Sequence, residues 1–246
     1  MNHDVFVLTV RMLLGRRRTL LLLLFAALPI LLSVVFRLSA TDVDAVDWTA
    51  NALLGGMIVG ILLPLAALVF GTAAFGAEAE DGTIVYILAR PLQRWKIVTA
   101  KLAASILATS VLVLPAALFS AMIALGGASG GASLIAGFLA GIAGGIVVYA
   151  ALFLCLGILT GRAFIIGLGY VFIWEGVVTG IFRGTRNLSV REYILGVAGG
   201  IADVPRSAFE ADVSIATAVV MMLVVAGAAI YFAIRGAQRF QVGESG

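Results

Sequence analysis

The chain has 246 residues, 62% of them hydrophobic and only 12% charged, whereas soluble domains carry about 25% charged residues. That excludes a soluble globule, and the net charge of +3 does not mark a nucleic-acid binder, because the basic residues sit at the ends of apolar runs and form no single patch. A lone cysteine, Cys155, excludes an intrachain disulfide, and a lone histidine, His3, has no partner at metal-ligand spacing.

Residues 1–18 place Val5, Phe6, Leu8, Met12 and Leu13 among Asp4, Thr9 and Arg11 and end on Arg16, Arg17 and Arg18, a pattern that suits a helix lying on the membrane surface. Thr19 to Phe36 is free of charge and spans about 27 Å as a helix, close to the roughly 30 Å of bilayer hydrocarbon. It exceeds a secretory signal core and is read as an uncleaved first membrane helix, kinked at Pro29. Arg37 to Asn51 is an acidic connector with Asp42, Asp44, Asp47 and Trp48. A second helix is expected over 52–75 and a third over 101–125, followed by a tight glycine-rich turn at 126–133.

The fourth helix, 134–160, carries Gly137, Gly141 and Gly145 at a four-residue spacing that lets another backbone approach closely, from this chain or from a second copy. A fifth helix covers 163–182. The segment 183–212 contains the apolar stretch Leu188 to Ile201, expected as a short interfacial or re-entrant helix. A sixth helix runs over 213–234. The fold class is therefore all-α: a single polytopic membrane domain, 1–246, with six transmembrane helices. Of the 16 lysines and arginines, eleven fall on the termini and even-numbered connectors and five on the other side. The positive-inside rule puts both termini and the segment 76–101 in the cytoplasm of a cell inner membrane.

That segment reads GAEAEDGTIVYILARPLQRWKIVTAK. An acidic cluster (Glu78, Glu80, Asp81) precedes Gly82; Thr83 to Ala89, with its apolar run Ile84 to Leu88, suits a short helix; and Arg90-Pro91 makes a corner before Arg94, Trp95, Lys96 and Lys101, which suit the headgroup boundary. A simple connector needs four to six residues. In E-x-E-D-G-T and A-R-P-x-x-R-W the chain resembles the membrane subunit of type 2 ABC exporters, an ABC-2-type permease. The resemblance implies that Glu78, Glu80, Gly82, Thr83, Arg90, Pro91 and Arg94 contact a separate ABC ATPase subunit through a cytoplasmic coupling helix. It also implies a second copy of the permease or a related one as partner, with ATP and magnesium held by the ATPase and no cofactor on this chain.

Glu175, in YVFIWEGVVTG, is the one acid well inside an apolar run. A carboxylate at that depth should face the bundle, be protonated, or meet a partner such as Arg183 or Arg186. It could relay protons, touch substrate or gate; alternatively it fixes the fifth helix to the outer segment. The Trp174-Glu175 pair is again similar to the exporter family. No G-x-x-x-x-G-K-[ST], H-E-x-x-H or Ser/His/Asp set occurs, so the chain is not expected to be an enzyme. The competing expectation is a secondary or proton-coupled transporter using Glu175. A membrane-embedded enzyme or assembly factor is a third, with no catalytic set to support it.

Overall fold

Hydrocarbon offers no hydrogen bonds to an exposed backbone, so apolar runs of this length must be helical. Every element in the computed structural model is a helix. The structure describes residues 3–14, 17–39, 43–80, 94–179 and 188–239. In chain order these are α1 (His3–Leu14), α2 (Arg17–Leu38), α3 (Ala45–Asp47), a π-helical stretch π1 (Trp48–Leu62), α4 (Leu63–Glu80), α5 (Arg94–Leu125), α6 (Gly131–Leu159), α7 (Ala163–Gly169), a second π-helical stretch π2 (Tyr170–Val178), α8 (Val190–Ile201) and α9 (Ile215–Arg239).

Among the described residues, five spans are long and apolar enough to cross a bilayer: Thr19–Leu38, Ala45–Ala74, Trp95–Leu125, Gly131–Leu159 and Ile215–Gln238. The fifth expected helix, 163–182, is described as the shorter apolar helix Ala163–Val178, and residues from 180 onward lie outside the described residues. The protein is thus an all-helical, multi-pass membrane protein.

Two boundaries differ from expectation. The second span begins at Ala45 and not at residue 52, because Asp44 caps it: its carboxylate accepts from the backbone N–H groups of Val46 and Asp47. The acidic connector therefore contributes a helix start, and Trp48 stacks on Phe36 of α2 with ring centroids 4.0 Å apart. The third span begins at Arg94 and not at 101. Lys101, expected at the headgroup boundary, is instead fully buried, and its Nζ donates to the Ala74 carbonyl of α4 at 2.6 Å.

Helix α6 is the centre of the bundle, with α4, α5, α8 and α9 packed around it. Its glycines explain how. A Cβ at Gly137 would lie 2.6 Å from the Ala198 carbonyl oxygen, one at Gly141 would lie 2.5 Å from that of Ile194, and one at Gly145 would strike the Ile194 side chain. The glycine stripe is therefore a groove for α8, and the close approach it permits is within the chain. Residues rising along α6 meet residues descending along α8, so the two run antiparallel. Twelve residues of α8 cover about 18 Å, so it enters beside the first half of α6 without crossing.

Three connectors gather at one end. Asn51 donates to the Ala208 carbonyl, Ser133 accepts from the Asp203 amide, and the Arg37 guanidinium lies against Gly126. At the other end, Gly236 of α9 packs on Ile158 and Leu159 of α6. Outward apolar surface includes Leu21, Leu24 and Leu31 of α2 and Leu223 and Val224 of α9, all exposed.

Gly141→Val should lower the thermal midpoint in detergent, at a cost of about 1–3 kcal/mol from overpacking against a backbone that cannot yield. Gly227→Ala, where a Cβ meets nothing within 4 Å, should leave it unchanged or raise it. Equal effects at both positions would refute the groove.

Candidate functional site

Two places in the chain were expected to carry function, and the structure treats them differently. Of the coupling residues, Glu78 and Glu80 fall in the last turn of α4 and Arg94 is the first residue of α5. Gly82, Thr83, Arg90 and Pro91, with the short helix expected over Thr83 to Ala89, lie outside the described residues. The two arms that carry the segment are described. Lys101 bridges them through Ala74, and Lys96 sits 5.6 Å from the ring centre of half-exposed Trp95.

Glu175 is 3% exposed, and its surroundings are defined. It lies in π2, one turn beyond Tyr170, whose hydroxyl donates to Oε1 at 2.8 Å. The Val190 amide donates to the same oxygen at 2.9 Å, and the Ser189 hydroxyl donates to Oε2 at 2.5 Å. Ser189 is the N-cap of α8, its Oγ also accepting from the Glu192 amide. The carboxylate thus closes the N-terminus of α8, where unsatisfied amides and the helix dipole favour an anion. Thr179 donates back to the Glu175 carbonyl, and Trp174 Nε1 reaches the Leu188 carbonyl at 3.3 Å. Arg183 and Arg186, the partners expected for Glu175, are outside the described residues.

This arrangement ties two elements together. Tyr170, Ser189 and the Val190 amide all present hydrogens to the carboxyl oxygens, and an amide N–H cannot accept one. The N-terminus of α8 is its deep end, since Ile194 already lies beside Gly145 in the middle of α6. A single carboxylate therefore satisfies the end of a helix that would otherwise stop in the interior with free donors.

Other polar residues surround this anchor without belonging to any motif in the sequence. Tyr149 of α6 is fully buried, and it approaches Glu175 and Arg191 without closing a well-formed hydrogen bond to either. Arg191 Nε is also buried without a partner. A cavity of about 230 Å³ lies beside it, lined among others by Asn51, Thr179, Arg191, Glu192, Glu210 and Asp212. The signal that marks the start of α8 is the S-x-x-E spacing of Ser189 and Glu192, which is that of a capping box. Nothing in the sequence pairs either residue with Glu175.

The family model described as ABC-2 family transporter protein matches residues 13–181, which reach from the end of α1 past π2 and include both the 76–101 segment and Glu175. A comparison with curated proteins finds no match.

Glu175→Leu strips Val190, Ser189 and Tyr170 of their shared acceptor. The opening free energy of the first turn of α8, read from amide hydrogen exchange, should fall by about 3 kcal/mol, and Glu175→Gln, which keeps an acceptor oxygen, should cost less. Unchanged exchange at Val190 to Tyr193 in Glu175→Leu would show that the carboxylate does not anchor the helix.

Proposed function

As this chain belongs to the ABC-2 family transporter proteins and is the permease component of an ABC transporter, we propose that it moves its substrate outward across the cell inner membrane, with both termini in the cytoplasm. The proposal includes an energy source: a separate ABC ATPase subunit docked on residues 76–101. The family match carries this reading, because it runs unbroken through that segment. In it, Glu78, Glu80, Gly82, Thr83, Arg90, Pro91 and Arg94 form the contact surface, and a second permease completes the transporter. ATP and magnesium are held by the ATPase.

The packing supports a route for the force. Residues 76–101 hang from the end of α4 and the start of α5, which Lys101 joins. Helix α4 continues without a break into π1, the helix-to-helix junction at Leu63 keeping helical backbone angles. Helix α8 packs against π1. Movement imposed on the cytoplasmic segment would therefore travel along one continuous helix to the element that Glu175 anchors, as a rigid-body switch between two packed states.

The proton-coupled alternative draws less support from the geometry, since three donors already converge on Glu175 and one is a backbone amide.

The permease, tagged and co-expressed with its candidate ATPase, should purify with bound ATPase, and Glu80→Lys combined with Arg90→Glu should release it while the permease still elutes as a folded, monodisperse particle. If the intact permease brings down no ATPase and Glu175→Gln abolishes a proton-dependent flux, the proton-coupled reading replaces this one.

A further inference from the structure

An arginine is charged at any physiological pH, and a charge at membrane depth is expensive unless something offsets it. The Arg191 guanidinium runs past Gly60: a Cβ at that glycine would lie 3.8 Å from Nε. Gly60 is at the middle of the span Ala45–Ala74. Arg191 is half-buried, and its Nε is buried without a hydrogen-bond partner. Tyr149, fully buried and within electrostatic reach of Arg191, also has its hydroxyl unpartnered. Arg191 Nε and the Tyr149 hydroxyl are thus left without hydrogen-bond partners close to Glu175, which lies fifteen residues before the start of α8 and has three. A structural arginine would be paired. One held ready for a ligand is not.

The cavity against Arg191 holds about 230 Å³, room for several waters or one small polar group at roughly 30 Å³ per water. Its lining includes the exposed carboxylates Glu210 and Asp212 as well as Glu192. An anion alone would find Arg191 but be repelled by Glu210, and a cation alone would meet the converse. We propose that this cavity binds a zwitterion, Arg191 taking the oxyanion, a phosphate ester or a carboxylate, and Glu210 the ammonium. The oxyanion gains a charge-assisted, fork-shaped contact that a planar guanidinium makes well. A lipid headgroup and a free polar metabolite share this chemistry. The inference rests on the permease reading in one respect, that the bound molecule is the cargo.

The test needs no ATPase, so its failure leaves the co-purification result untouched. The purified permease is titrated in detergent with glycerophosphoethanolamine, glycerol phosphate and ethanolamine. In nanodiscs, phosphatidylethanolamine is compared with phosphatidylglycerol, and thermal midpoint and binding are followed for wild type, Arg191→Met and Glu210→Gln. The zwitterion should bind more tightly than either fragment, and each substitution should weaken it about tenfold or more. Without ligand, Arg191→Met should melt at or above the wild-type temperature, because a guanidinium whose buried Nε has no partner is replaced by an apolar chain of similar length. Response to phosphatidylethanolamine alone, with the same dependence on both residues, assigns the site to a lipid headgroup; response to the soluble compound assigns it to a free zwitterion. Equal response to glycerol phosphate, wild-type binding by Arg191→Met, or a lower melting temperature of unliganded Arg191→Met would each overturn the proposal.

Discussion

A helix that ends inside a membrane protein leaves its first amides pointing at an environment that cannot solvate them. Helix α8 ends in this way, and the fold answers with one carboxylate. Glu175 accepts from the Val190 amide and the Ser189 hydroxyl, Ser189 in turn accepts from the Glu192 amide, and the Tyr170 hydroxyl donates to the same carboxyl oxygen as Val190. Without that anion the short helix has only its packing to hold it beside α6. With it, α8, π2 and the centre of the bundle form one unit.

The packing on which this depends is set by small residues. Gly137 and Gly141 admit the carbonyl oxygens of Ala198 and Ile194 where any Cβ would collide, so α8 lies in α6 as in a slot. In lipid, where apolar burial does not drive helices together, close contact of this kind is the main source of cohesion. The groove also fixes depth: it holds the N-terminus of α8 level with the middle of α6, and so determines where Arg191 and the cavity beside it stand. The anchor and the slot are complementary, one electrostatic and one steric, and each would be weaker alone.

At the opposite end, Lys101 plays a comparable part between α4 and α5. A fully buried ammonium on the Ala74 carbonyl joins the two arms of the segment through which the permease is proposed to meet its ATPase. From there α4 and π1 reach α8 as one continuous helix. Fifteen consecutive π-helical residues are uncommon, since such stretches are mostly single-turn bulges near functional sites. Gly55 fits this backbone: a Cβ there would lie 2.9 Å from the Ala50 carbonyl oxygen.

Several features were legible in the chain itself because they depend on composition and on spacing along one helix. The apolar runs, the short helix within 183–212 and the close-approach glycines of α6 all follow from local pattern, and the isolated position of Glu175 alone marks it as a buried anion needing a partner. Other features were not, because they depend on which residues distant in sequence become neighbours. Asp44 reads equally as connector or cap until the chain behind it is seen to turn helical. Lys101 has the sequence context of a headgroup residue, and only the proximity of α4 buries it. The partners of Glu175 lie fourteen and fifteen residues onward, and the π register that helps to aim them changes the very period from which a helical face is read. Sequence therefore determined that this is an all-helical membrane permease and where its helices run, since hydrocarbon imposes that on any chain this apolar. Tertiary structure decided which glycines face which carbonyls and which groups satisfy the buried Lys101 and Glu175, because those outcomes require helices to meet.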